Sequence, residues 1–258
     1  MGIVRTVLHF AAPLPKLTDY DRFLFLGPHP DDIEIGAGAT AARLAADGKQ
    51  VCFLICTDGR YGTDAIRDEK LQPEELLEIR RWEARDSAAM LGVRDVRMLD
   101  LCDGGFYEWS SMLLGVARVV GEFQPDVIFA PDPDTGNECH IDHRNVGDVA
   151  KQIALFSGNP GIMEHYGARP ADVSALALYM TAKANTAVAT AGYLDRQMSA
   201  LFDCHRSQFP ENSEAARTLR IYLKLRAADF GLRCGRRSGE GFRVLGRTQM
   251  HCLPEAGL

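Results

Sequence analysis

Apolar residues in this chain gather into short runs that end in glycine, proline or aspartate, and longer amphipathic stretches separate the runs. RFLFLG (22–27), QVCFLICTDG (50–59), VRMLDL (96–101), DVIFAP (126–131) and ALALYM (175–180) read as buried strands. Between them lie helical stretches. ATAARLAADG (39–48) is alanine-rich and stops at Asp47-Gly48, and EELLEIRRWEARDSAAMLG (74–92) sets Leu76, Ile79, Ala84 and Leu91 at roughly helical spacing before Gly92. Further helices are expected over 111–122 and from Asp142 to about Leu155, then a helical C-terminal portion over 191–232 and a last strand near FRVLG.

Strands alternating with helices predict an α/β fold, a Rossmann-like, mostly parallel sheet with helices on both faces. No repeat, low-complexity tract or linker interrupts the pattern, so residues 1–258 are expected to form one domain. In such a sheet ligands bind beyond the carboxyl ends of the strands. That is where the polar residues concentrate: PHPDD (28–32), TDGRYG (57–62), CDGGFY (102–107) and PDPDTGNECHIDH (131–143) each follow a candidate strand.

Composition narrows the function classes. Hydrophobic residues make up 46% and charged residues 25%, enough for a sizeable core, while a net charge of −6 with no basic stripe argues against a nucleic-acid partner. The short stretch Arg233, Arg236, Arg237 reads as a solvated turn. Seven scattered cysteines (52, 56, 102, 139, 204, 234, 252) form no CxxC pair and read as reduced thiols of a cytoplasmic protein. The opening residues offer neither a basic leader nor an uninterrupted apolar core, and no run is long enough for a membrane span.

Two clusters carry the chemistry. Pro28-His29-Pro30-Asp31-Asp32 puts an imidazole and two carboxylates at the end of a buried strand, a concentration of charge that a divalent metal would balance. His140-Ile141-Asp142-His143 follows the fourth candidate strand and opens a helix, so a parallel sheet can bring it to face His29 and Asp32. Helix capping by an aspartate would account for one residue of each cluster but not for the rest.

HPDD after the first strand, with HxDH after a later one, resembles the LmbE-like, or PIG-L, family of zinc-dependent N-deacetylases, within the N-acetylglucosamine deacetylase superfamily. The resemblance runs on through Thr57-Asp58-Gly59, Arg80-Arg81-Trp82-Glu83, Leu91-Gly92-Val93, Leu99-Asp100-Leu101 and Asp103-Gly104 to His205-Arg206-Ser207-Gln208. It implies one zinc ion per chain, with iron as a possible substitute, held by His29, Asp32 and His143. It implies Asp31 as the general base toward a zinc-activated water, and His140 as acid or oxyanion partner with Asp142 orienting it. Arg80 and Asp103 are implied as substrate-binding, while His205 or Gln208 would support the metal loops without ligating. The implied reaction is hydrolysis of an N-acyl amide, N-acetyl above all, on an amino sugar or glycoconjugate. Ile141 stands where the family often has proline, and Met198 occupies about the position of a family lysine.

Other readings compete at single points. Arg80 is as plausible as a helix-surface partner of Glu83. Cys139 adjoins a histidine, yet nothing places a base on it, so it reads as a bystander. Gly36-Ala-Gly38-Ala-Thr-Ala41, with Asp58 further on, matches a dinucleotide-binding fingerprint of an NAD-dependent oxidoreductase. PHPDDIEI intervenes between strand and glycines, however, so the glycines are expected to permit close helix-to-sheet packing instead. A non-catalytic sugar-binding module would have no need of Asp31.

Overall fold

The computed structural model describes residues 3–62, 71–251 and 253; Cys252 lies outside them. A helix, α1 (Ile3–Ala11), precedes the first strand, β1 (Arg22–Gly27), which leads through the HPDD loop into α2 (Asp32–Ala46) and β2 (Gln50–Thr57). Next come α3 (Pro73–Leu91), β3 (Asp95–Leu101), α4 (Trp109–Phe123), β4 (Val127–Pro131), α5 (Ile141–Phe156), α6 (Pro160–His165) and β5 (Ala175–Tyr179). The chain closes with β6 (Thr186–Ala189), α7 (Leu194–Ser199), a π-helical turn (Ala200–Cys204), α8 (Glu214–Arg233) and β7 (Gly239–Gly246).

The seven strands of the described residues join one sheet in the order β3-β2-β1-β4-β5-β7-β6. β1 to β5 pair in parallel, whereas β7 runs antiparallel to both β5 and β6. The strand order reverses between β1 and β4, which makes their carboxyl ends the switch point where such sheets bind ligands. The expected α/β class and the five parallel strands stand. The sequence reading had no β6 and no α6, and the helical portion it placed over 191–232 is broken at His205, between the π-turn and α8.

Alternation along each strand builds two cores. Phe23 and Phe25 face α2 with Phe53 and Phe129, and the Phe25 and Phe129 rings stack at 4.2 Å between centroids. Leu24 and Leu26 face α4 and α5 with Leu54, Ile128 and Val116. A third cluster, Met198, Leu201, Phe202, Ala216 and Leu223, seats the C-terminal helices, so the position that the family gives to lysine belongs here to an apolar packing contact. Helix ends follow local rules: Glu75 closes a capping box on Gln72 ahead of Pro73, and Gly92 ends α3 in the left-handed region at φ 86°.

The glycines of the fingerprint-like run lie inside α2 rather than in the turn out of β1. A Cβ on Gly36 would fall within the Tyr179 ring, and one on Gly38 would stand 3.0 Å from Gln197 Cγ. Close packing is their role, and the geometry a pyrophosphate needs is absent there. Tyr179 cannot swing aside freely, because its hydroxyl donates to the Leu26 carbonyl at 2.7 Å inside the core. Gly36→Ala is therefore expected to lower stability by about 1–3 kcal/mol through overpacking. A reduced urea midpoint at unchanged m-value is the check, and an unshifted midpoint would refute the packing account.

Candidate metal centre and cleft

β1 and β4 deliver the two clusters to the same edge. Thr57, at the end of β2, donates through its hydroxyl and its backbone N–H to the Pro28 carbonyl, at 2.7 and 2.9 Å, which fixes the start of the HPDD loop. Asp31, just before α2, has φ 127°, a region that costs a non-glycine residue about 1–3 kcal/mol. That backbone sends Asp31 and Asp32 in different directions. Asp31 meets Arg80, while Asp32 meets the histidines.

Asp32 Oδ2 lies 3.1 Å from His29 Nδ1 and 3.2 Å from His143 Nε2. Ligand atoms of His29, Asp32 and His143 all fall within 4.8 Å of one another. The outer nitrogen of each ring is held by a further carboxylate: His29 Nε2 is 3.1 Å from Asp142 Oδ2, and His143 Nδ1 is 3.1 Å from Glu138 Oε2. Carboxylates behind both imidazoles fix ring orientation and raise basicity, the arrangement that metal-ligating histidines have. The field favours positive charge at this point. Burial works against protonation of His29, but its bonds to Asp142 and Asp32 outweigh that and lift its pKa to about 10. His143 rises to about 9 in the same way, against burial, through Asp32 and Glu138. Two imidazoles and a carboxylate in such a field can hold a divalent metal ion.

His29, His140 and Asp142 form a second convergent group. Asp142 is not available to a metal there, because its acceptor sites are filled. Oδ2 accepts from Gly104 N at 2.7 Å and faces His29, and Oδ1 accepts from Gly105 N at 3.0 Å and Tyr107 Oη at 2.9 Å. Those bonds, with His29, hold its pKa below the usual carboxylate range despite the opposing effect of burial. The Asp142 carboxylate binds the His29 ring at 3.1 Å and also stands 3.7 Å from His140 Nδ1, to which the Asp142 backbone N–H donates at 3.3 Å. His140, not Asp142, is the residue that caps α5. Its pKa is lowered by burial and by the neighbouring His29 and His143, so the ring is neutral at pH 7, with its proton on Nε2.

Arg80 is 2% exposed, so it is no helix-surface residue. It donates to Asp31 Oδ2 at 3.1 Å, the Pro30 carbonyl at 2.7 Å and the Gly59 carbonyl at 3.0 Å. Glu83, offered as its partner, instead accepts from the backbone N–H and the hydroxyl of Ser207. That contact ties α3 to the HRSQ segment. Burial pushes the Asp31 pKa up to about 6, against the lowering effect of Arg80. His205 is fully buried, with Nε2 3.5 Å from Glu34 Oε1, which also accepts from the Ser87 hydroxyl. Neither His205 nor Gln208 belongs to the groups of side chains that could hold a metal ion among the described residues.

His29, Asp31, Asp32, Arg80, Asp103, His140 and Gln208 all line one cleft of about 360 Å³, together with Ile35, Tyr61, Gly62, Gly104 and Phe209. The volume suits a small-molecule ligand. Asp103 accepts from Tyr61 N at 3.3 Å, and burial raises its pKa. Gln208 Oε1 is buried without a donor. Cys139 is exposed and its thiol donates to the Asn137 carbonyl at 3.6 Å. Sequence reasoning missed Glu138, Glu34 and Tyr107. Glu138 sits inside the polar loop and Glu34 two residues past HPDD, so position gave a signal, though not a role.

Comparison with known proteins agrees with this geometry. A family model described as PIG-L, GlcNAc-PI de-N-acetylase, matches residues 24–154. Diacetylchitobiose deacetylase of Thermococcus kodakarensis is 31% identical over 258 residues, spanning 96% of this chain and 94% of the relative. The 1D-myo-inositol 2-acetamido-2-deoxy-alpha-D-glucopyranoside deacetylase of Kineococcus radiotolerans is 31% identical over 192 residues, 63% of this chain and 53% of the relative. In three dimensions the solved N,N'-diacetylchitobiose deacetylase from Pyrococcus horikoshii matches with a TM-score of 0.83 at 34% identity, covering 98% of this chain and 93% of the other. With a family match across half the chain and relatives along nearly all of it, the protein belongs to the PIG-L family of de-N-acetylases.

Proposed function

We propose that this protein is a zinc-dependent N-deacetylase that releases acetate from an N-acetylated amino sugar within a small saccharide or glycoconjugate. The observation that carries this reading is the meeting of His29, Asp32 and His143 at one point beside the buried Asp31, in a cleft whose chain-long relatives are sugar deacetylases. We assign His29 Nδ1, Asp32 Oδ2 and His143 Nε2 as the metal ligands. Zinc suits two imidazoles and one carboxylate, and ferrous iron is the substitute the same donors accept. Such an ion, when bound, acidifies water and polarises an acyl carbonyl.

Asp31 then serves as general base. Its carboxylate faces the cleft, burial has raised its proton affinity toward neutrality, and Arg80 behind it fixes its direction. It takes a proton from the attacking water and passes it toward the leaving nitrogen. His140 faces the cleft as a neutral ring with Nε2–H forward, placed to donate a hydrogen bond to the oxyanion that forms as water adds. Water adds across the C–N bond, giving acetate and the free amine. Asp103 lines the same cleft and is assigned to sugar hydroxyls. Arg80 is assigned chiefly to holding Asp31, and His205 to holding Glu34 beneath that pair. Gln208, with its unpartnered Oε1, is assigned to a substrate donor rather than to supporting the loops.

Protein purified without chelators is expected to carry about one divalent ion per chain, as catalytic three-ligand sites do. Elemental analysis reads this directly, and metal-free protein that zinc fails to activate would sink the assignment. Asp31→Asn should keep that metal while acetate release falls by about 10²–10⁴-fold, the usual contribution of a positioned base. Near-normal turnover would remove Asp31 from the role. Glu138→Gln is expected to weaken metal binding about 10 to 100-fold by freeing the His143 ring. Competition against a chelator of known affinity measures it, with wild-type retention as the contrary result.

A further inference from the structure

The cleft that holds Asp31 is lined mainly by charged and hydrogen-bonding side chains, and two purely hydrocarbon ones, Ile35 and Phe209, stand among them. Both are held from behind. The Ile35 N–H donates to the Asp31 carbonyl at 3.0 Å, which sets Ile35 one helical turn after that residue on α2. Its neighbours along the helix are fixed: the Glu34 carbonyl accepts from Gln197 Nε2 at 2.7 Å, and Gly36 lies against the Tyr179 ring. The Phe209 N–H donates to the His205 carbonyl at 2.8 Å, and its ring meets that of Phe202 edge to face with centroids 5.7 Å apart. The Arg220 guanidinium covers Phe202 in turn, 3.8 Å from the ring centroid. Ile35 and Phe209 both pack on the buried cluster of Met198, Leu201, Phe202, Ala216 and Leu223, so neither can recede without opening that core.

In an N-acyl amide the substituent on the carbonyl carbon is alkyl, offers no hydrogen bond, and gains from leaving water only against apolar surface. Its place is constrained. The carbon under attack must come within about 3–3.5 Å of the attacking oxygen, which itself stands in hydrogen-bond reach of Asp31. The substituent is one bond further on, in the neighbourhood of the side chain that follows Asp31 by a turn. We propose that Ile35 and Phe209 form the wall that receives the acyl substituent, and that this wall sets the acyl length the enzyme accepts. A methyl group fits against it, whereas each added methylene presses on side chains that a packed cluster keeps in place. This rests on reading the cleft as a deacetylase site, and it concerns the acyl side of the bond rather than the sugar.

The test follows the free amine that metal-loaded wild type, Ile35→Ala and Phe209→Leu release from N-acetyl-, N-propionyl- and N-butyryl-glucosamine. Wild-type kcat/KM is expected to fall at least about tenfold from acetyl to butyryl, the scale on which apolar pockets tell methylenes apart, and Ile35→Ala to raise the butyryl-to-acetyl ratio about tenfold. Phe209→Leu, which keeps most of the packing volume, should raise it by a smaller factor. A wild type that does not favour acetyl, or a ratio unmoved in both variants, overturns the wall. Calorimetric titration of the same metal-loaded proteins with acetate and butyrate separates this from the deacetylase reading. Acetate binding more tightly than butyrate in wild type, with the gap closed in Ile35→Ala, supports the wall even if no amide is cleaved, an outcome that would count against the activity alone. Butyrate binding to wild type as tightly as acetate overturns the wall whatever the turnover.

Discussion

A carboxylate with no exposed surface is the constraint on which the cleft depends. Asp142 is 0% exposed, and a buried charge is tolerable only where hydrogen bonds replace its water. Its replacements come from two separate segments, His29 after β1 and Gly104, Gly105 and Tyr107 after β3, while the residue itself opens α5 in a third, after β4. No one of these loops can move without stranding an acceptor in the interior. The switch point of the sheet brings the strand ends together, and Asp142 locks the loops that leave them. The His29 ring is consequently aimed before any ligand arrives.

A second tier of buried acids does the same on the α3 side. Asp31, Glu34 and Glu83 are each under one-tenth exposed and meet Arg80, His205 with Ser87, and Ser207 respectively. These contacts join α2, α3 and the HRSQ segment, which lie far apart in sequence. Motifs that look like separate signatures along the chain are therefore partners of one another in space. RRWE supplies Arg80 to the HPDD loop and Glu83 to HRSQ, which explains why its two charged ends differ in role.

Much of this was legible in the sequence, because hydrophobic periodicity is a local property that survives into the fold. The runs at 22–27 and 126–131 became β1 and β4 nearly residue for residue, and the loops after them hold the residues that could bind a metal ion. What the sequence hid was pairing. That Asp142 binds His29, 113 positions earlier, as well as standing near His140, two positions away, is decided by strand register and the turn after β3, not by spacing. Likewise Arg80 and Glu83 sit three apart on one helix, where a surface ion pair looks natural, yet tertiary packing buries both and gives each another partner. β6 was missed because TAVA is short and half-buried, with too few alternations to register.

The division between floor and rim has a consequence for how such a cleft can change its substrate. The buried charged residues at and beneath the cleft are bound into the core by several contacts: replacing Asp142, Arg80 or Asp32 strands partners on neighbouring loops. Phe106 and Ile141 at the rim, 72% and 44% exposed, satisfy no buried polar group. Side chains there can vary at little cost to folding while the reacting groups stay fixed, as loop positions on a rigid scaffold generally allow. Ile141 illustrates the point, since the residue that departs from the family pattern abuts Gly105 at the rim. The carboxylates of the cleft are thus ones that the fold cannot release, and the rim side chains ones that it can.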